Sequence, residues 1–163
     1  MAEILVTWFS RSGSTEQAAR ALAARLGADA EPILVPASYA GAAGFFRGVW
    51  QSMLRRPVAV QAGVNPVAYR LVVVGTPVWA GQPSAPVRSW LSRHGPRIRT
   101  LAAFCVSGSG APCDGVFDEI EGLVGRELAA TLSLAQRDVL AGGADAALDA
   151  FAGGLREDLA QTA

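Results

Sequence analysis

The stretch "EILVTWFSRSGSTEQAARALAARL", Glu3 to Leu26, decides how the rest of the chain is read. Ile4 to Phe9 is apolar but for Thr7, the continuous run of a parallel strand covered on both faces. It passes without a spacer into Ser10-Arg11-Ser12-Gly13-Ser14-Thr15. Ala18, Ala19, Leu22, Ala23 and Leu26 then recur at helical spacing up to Gly27, where a helix would end. The junction between strand and helix carries four hydroxyls and a glycine, which is more than a turn needs.

Outward from this junction, strand and helix alternate with short connections. Glu31–Ala37, bracketed by prolines, reads as an edge strand. Residues 41–56 follow as a helix whose Phe45, Phe46, Val49, Trp50, Met53 and Leu54 form one broad face, expected to be core. Arg70–Thr76 is the most apolar segment and the expected central strand. Pro83–His94 reads as a helix with Pro86 in its tolerant first turn. A fourth strand lies in residues 100–108, an amphipathic helix in Asp114–Glu127, a fifth strand within 128–140, and a closing helix in 144–161. Strict alternation implies α/β architecture, with a parallel sheet covered on both faces. The 163 residues are expected to form one domain.

Composition removes several classes. The 14 basic and 14 acidic residues cancel, which argues against general nucleic-acid or anionic-membrane binding. Hydrophobic content is 51%, yet no unbroken apolar run reaches a membrane span. The chain opens on an acidic residue and a strand, so no signal peptide is expected and a cytoplasmic location is the default. Cys105 and Cys113 are too few for a disulfide framework and too far apart for a Cys-x-x-Cys pair. Cys113, in a loop, reads as incidental.

In such a sheet, ligands bind beyond the carboxyl ends of the strands, near the point where strand order reverses. Three strand ends qualify. At Ser10–Thr15, a helix N-terminus offers unpaired N–H groups and the positive end of its dipole to a dianion. Ser10, Ser12, Ser14 and Thr15 add hydroxyl donors, and Gly13 permits positive φ. A capping box of Ser14 with Gln17 is the plainer reading, but capping uses one hydroxyl. The absence of a lysine after the glycine excludes a nucleoside-triphosphate P-loop, and the pattern is not G-x-G-x-x-G. At Gly75–Ser84, Trp79 either stacks on a planar ring, worth about 0.5–1.5 kcal/mol beyond area burial, or covers the end of the core. At Cys105–Gly115, glycines and serines offer amides to a polar ring edge, or form a flexible loop. A phosphate cradle, an aromatic plate and an amide-rich rim on one sheet edge suit flavin mononucleotide (FMN).

Over essentially its whole length the sequence resembles the flavodoxin-like family. Ser10-Arg11-Ser12-Gly13-Ser14-Thr15 is similar to the family's Ser/Thr-x-Thr/Ser-Gly-x-Thr signature. The resemblance implies that this loop wraps the FMN phosphate, with Arg11 at a variable position turned to water. It further implies that Pro77, Val78, Trp79, Ala80 and Gly81 contact the isoalloxazine, Trp79 stacking on it, and that Ser107, Gly108, Ser109 and Gly110 hold its pyrimidine side. The implied fold is a flavodoxin-like three-layer sandwich with a five-stranded parallel sheet in the order 2-1-3-4-5. "GTPVWAGQPSAPVRSWL", Gly75 to Leu91, is closer to flavodoxin-domain proteins and NAD(P)H:quinone reductases of this fold than to electron carriers. The implied function is an FMN oxidoreductase reduced by NAD(P)H or a protein partner and acting on a small acceptor such as a quinone. Such reductases often build their pocket across a subunit interface, so a homo-oligomer is compatible. A one-electron carrier and a non-redox phosphate-binding or regulatory module are the alternatives. The chain's neutrality departs from the strongly acidic carriers.

Rival chemistries find no support. A receiver domain needs acids where this chain has Ser10 and Thr76, and a Cys-x5-Arg phosphatase needs arginine where it has Ala111. His94, beside Gly95-Pro96, reads as a surface histidine at a helix end. One histidine and two separated cysteines give no transition-metal cluster. Trp50 and Tyr39 are weaker candidates for a wall near the ring. Arg47, Arg55 and Arg56 read as a solvated basic edge, with a nicotinamide-nucleotide phosphate patch as the sharper alternative.

Overall fold

A computed structural model describes residues 2–36, 41–61 and 63–162. Its elements run β1 (Ile4–Trp8), α1 (Ser14–Leu26), β2 (Asp29–Pro32), α2 (Gly41–Met53), β3 (Leu71–Trp79), β4 (Gln82–Pro83), α3 (Ala85–His94), β5 (Leu101–Ser107), α4 (Asp114–Val124), β6 (Thr131–Ala135), α5 (Gln136–Ala141) and α6 (Asp145–Gln161). The parallel sheet has the order β2-β1-β3-β5-β6, the expected 2-1-3-4-5 once the two-residue β4 is set aside. β4 is an addition to the expected five, folding back antiparallel on the end of β3.

Alternation along the strands builds two cores. Ile4, Val6 and Trp8 of β1, with Val73 and Phe104, pack under α1 and α6. Leu5, Phe9, Val72, Val74 and Cys105 face the other way, toward α3 and α4. The centre of the sheet tolerates no excess volume. Gly75 of β3 lies opposite Phe104 of β5, and a Cβ on Gly75 would stand 2.2 Å from the Phe104 ring. Gly75 is therefore required by its neighbour rather than by backbone freedom. Among the described residues, no helix is long and apolar enough to cross a membrane.

Two expectations are corrected. The edge strand covers Asp29–Pro32 rather than Glu31–Ala37. Asp29 anchors it earlier, since its Oδ2 accepts the Tyr69 hydroxyl at 2.8 Å and the Ala2 N–H at 3.3 Å. After Ile33 donates to the Trp8 carbonyl, Leu34 leaves the sheet to pair with Gln61; Ala37 lies outside the described residues. The second correction concerns α2. Phe46, Trp50, Met53 and Leu54 are 70%, 60%, 57% and 45% exposed, so these four are not core; the side chains of Phe45 and Val49 lie outside the described residues. The helix turns Gly44 and Gly48 inward instead. A Cβ on Gly48 would come within 2.7 Å of the Trp79 ring. The glycine at 48 lets α2 lie close upon Trp79, with Phe46, Trp50 and Met53 on the outer side.

Gly75→Ala is expected to lower stability by about 3 kcal/mol through overpacking against Phe104. Urea denaturation measures it, and a loss below about 1 kcal/mol would mean that the ring can move aside.

Candidate functional site

The first strand end is organised by a turn rather than by a capping box. Gly13 is the N-cap of α1 at φ 101° and makes no side-chain cap bond. Its N–H donates to Ser10 Oγ at 3.0 Å, and its carbonyl accepts the Gln17 N–H at 2.9 Å. The Gln17 side chain is engaged elsewhere, donating to the Val139 carbonyl at 2.8 Å. The pairing of Ser14 with Gln17 does not form. Among the described residues, Ser12, Ser14 and Thr15 make no side-chain hydrogen bond. A helix N-terminus thus stands with its hydroxyls uncommitted, which is the donor set a phosphate needs. Space permits it too, since nothing lies within 4 Å of where a Cβ on Gly13 would be.

The second strand end is a tight hairpin. Trp79 pairs with Gln82 and Val78 with Pro83, while the tip residues Ala80 and Gly81 have φ of 52° and 72°. Two consecutive positive φ values mark the turn type that matches strand twist in two-residue hairpins. Below the hairpin sits Thr76, fully buried beside fully buried Ser84. The Thr76 hydroxyl donates to the Pro77 carbonyl at 2.8 Å and accepts the Ser84 N–H at 3.0 Å. One side chain therefore satisfies groups at both ends of the loop. Trp79 is 4% exposed. Its ring meets Phe9 edge to face, with centroids 5.5 Å apart, and backs onto Gly48.

The third strand end, Ser107–Pro112, is closed on itself. Ser107 Oγ accepts the Gly110 N–H at 3.0 Å and Ser109 Oγ accepts the Ala111 N–H at 3.2 Å. Gly110, at φ 72°, approaches Ala135 so closely that a Cβ there would lie 2.8 Å from the alanine Cβ. Beneath the loop, Cys105 is joined to Cys113 in a disulfide. This corrects the expectation that Cys113 is incidental: the chain leaves β5 and returns to start α4 beside it, which brings the two cysteines together.

All three ends border one cavity of about 260 Å³. Arg11, Ser12, Ser14, Thr15, Pro77, Val78, Trp79 and Gly108 line it, joined by Val106 and Gln136. Ser10, Gly13, Ala80, Gly81, Ser107, Ser109 and Gly110 shape the surrounding turns without lining it. No family model and no curated protein matches the chain. Solved structures do. A flavoprotein from Bacteroides eggerthii superposes with a TM-score of 0.70 at 22% identity, over 91% of this chain and 97% of its own. A flavoprotein in complex with FMN from Lactobacillus acidophilus gives 0.69 at 18% identity, over 80% and 91%. Oxidised flavodoxin 2 from Bacillus cereus gives 0.57 at 19%, over 96% and 99%. The chain has the flavodoxin-like fold.

Within that flavodoxin-like frame, the strand-end rule would also have found Gln136, since it directly follows β6. Val106 is buried in the strand itself and carried no polar signal. Arg11 is exposed at the rim. Trp50 sits outside the cavity lining, and Tyr39 lies outside the described residues. Arg55 and Arg56 border a separate cavity of about 320 Å³ together with Arg88 and Arg93. His94 ends α3 as expected, but is half-buried rather than fully at the surface. It packs at 5.2 Å on Trp90 with a buried, unpaired Nδ1. Burial first, then Arg93 and Arg97, hold its pKa below the ordinary value. No group of three or more metal-ligating side chains occurs among the described residues. A further cavity, lined by Arg70, Arg99 and Thr162, lies at the opposite, amino ends of the strands.

Thr76→Val keeps the shape but strands the buried Ser84 N–H, and is expected to cost about 2 kcal/mol in chemical denaturation. Ala80→Gly relieves a left-handed alanine and is expected to add about 0.5–1 kcal/mol. A loss on Ala80→Gly would contradict the hairpin geometry.

Proposed function

We propose that the chain binds FMN at the Ser10–Thr15 cleft and acts as an oxidoreductase, reduced by NAD(P)H or a protein partner and serving a small acceptor such as a quinone. The observation that carries this reading is the uncapped start of α1, whose free hydroxyls open into the cavity bordered by the other two loops. Ser12, Ser14 and Thr15, with the first N–H groups of α1, hold the phosphate by charge-assisted hydrogen bonds. Arg11 adds positive charge at the rim. Trp79 and the Gly108 loop flank the ring and exclude water from one side of it. Flavoprotein neighbours, one of them in complex with FMN, support the choice of ligand.

When bound, FMN supplies hydride and electron chemistry, so no side chain of this protein has to act as acid or base. The protein's work is to position the ring and set its surroundings. The balance of 14 basic and 14 acidic residues favours a small acceptor, because long-range steering to a charged protein partner is weak. A cytoplasmic setting belongs to the same proposal.

FMN and riboflavin share the ring and differ by the phosphate, which makes them the test. Fluorescence titration is expected to give one-to-one FMN binding, with riboflavin about 100-fold weaker. Ser12→Ala combined with Thr15→Ala is expected to weaken FMN by about 10- to 100-fold and leave riboflavin unchanged. Equal binding of both ligands would overturn the phosphate cradle, and no flavin binding would overturn the whole reading. Anaerobic bleaching of bound flavin by NADPH or NADH supports the reductase. Flavin untouched by either points to the carrier.

A further inference from the structure

Cys105 and Cys113 bracket the third loop. Cys105 is fully buried in β5, in register with Thr76 on one side and Ser133 on the other. Cys113 stands at the start of α4 and is 6% exposed. The disulfide spans a sequence separation of 8, and Gly108–Pro112 between its ends are all exposed. Both ends are fixed to the sheet, because the Cys113 N–H donates to Ser133 Oγ at 3.1 Å. Only local turn bonds and the Gly110–Ala135 contact otherwise shape this loop. Its buried side-chain anchor between the cysteines is Ser107, at the end of β5, and none of Gly108–Pro112 is buried.

We propose that this cysteine pair is a second redox centre, whose oxidation state sets how firmly residues 107–110 hold the flavin. The inference rests on the FMN reading above. With the bridge closed, the loop has few conformations to lose, so it meets the ligand already ordered. With the bridge open, only part of the population holds the competent shape, and apparent affinity falls by that fraction. Where cellular thiols are kept reduced, disulfides are characteristically transient and redox-sensing rather than permanent.

The chemistry balances with a dithiol reductant. Its thiolate attacks Cys113 Sγ, the more accessible sulfur, breaking the S–S bond and releasing Cys105, which takes up a proton. The reductant's second thiol then attacks its own mixed disulfide and releases the Cys113 thiol. Two electrons pass to the protein, and the reductant leaves as a disulfide. Linkage requires reciprocity: if the closed bridge tightens FMN, FMN must stabilise the bridge by the same factor.

FMN affinity is measured by fluorescence on the full chain, oxidised with glutathione disulfide and then reduced with dithiothreitol. Reduction is expected to weaken FMN about tenfold. In dithiothreitol redox buffers, saturating FMN is expected to move the cysteine midpoint about 30 mV more negative, the equivalent of that tenfold change. Cys113→Ser is expected to bind like the reduced protein whatever the oxidant. Equal FMN affinity in both states, an unmoved midpoint, or two free thiols after oxidation would each overturn the proposal while leaving FMN binding intact. No FMN binding in either state would instead overturn the flavin reading, and this inference with it.

Discussion

A parallel sheet buried on both faces has to end, and at its end the backbone groups that paired along the strands lose their partners. Every one of those groups must then find a side chain, a turn or a ligand. The strands β1, β3 and β5 meet this constraint together, because they are fully or nearly fully buried and stop at one edge. Each solves it differently. After β1 the chain enters α1 and leaves the helix's first N–H groups without a cap. After β3 it folds back over the Thr76 hydroxyl. After β5 it closes a loop with serine hydroxyls and a disulfide. The site is the sum of these solutions, and polar loops at this edge follow from the burial of the strands.

Rigidity at the second loop has a further source. Arg88 of α3 donates from Nε to Glu119 of α4 at 2.7 Å and from Nη2 to Gln82 at 2.6 Å. Arg88 is buried and Glu119 nearly so, the two side chains being 8% and 13% exposed. Removing one partner of such a pair strands the other charge, which costs far more than losing a surface bridge. Arg88 therefore fastens the hairpin to the α3–α4 layer from below, while Thr76 fastens it from within. The Gly108–Pro112 loop is held by the short Ser107 and Ser109 hydroxyls alone among its side chains, which is why a covalent bridge matters there.

Much of this was legible in the residues. Continuous apolar runs marked β1, β3 and β5, and the abrupt Ser10–Thr15 junction marked the start of α1, since burial and helix periodicity are local signals. The sheet order came from the resemblance rather than from periodicity. Pairing with distant segments was not legible. Asp29 starts β2 because Tyr69 reaches it, forty positions away. The amphipathic stripe of α2 misplaced Phe46, Trp50, Met53 and Leu54, because Gly48 pressed on Trp79 outweighed the pull of Phe46 and Trp50. The capping box failed because Gln17 found the Val139 carbonyl. The cysteines were judged by their spacing, which says nothing about a chain that leaves a strand and returns to start a helix beside it.

Trp79 shows why the two readings of a site tryptophan need not compete. Its edge-to-face contact with Phe9 and its close approach to Gly48 fill the end of one core, while the residue also borders the cavity. An aromatic side chain held on the protein side has little rotamer freedom left to lose when a ligand arrives. That position depends on glycine at 48, because any Cβ there would push the helix off the indole. On the outer surface of the same helix stand Phe46, Trp50 and Met53. A single demand for a fixed aromatic wall beside the cavity thus accounts for the inward glycine face and for the exposed apolar stripe on the same helix.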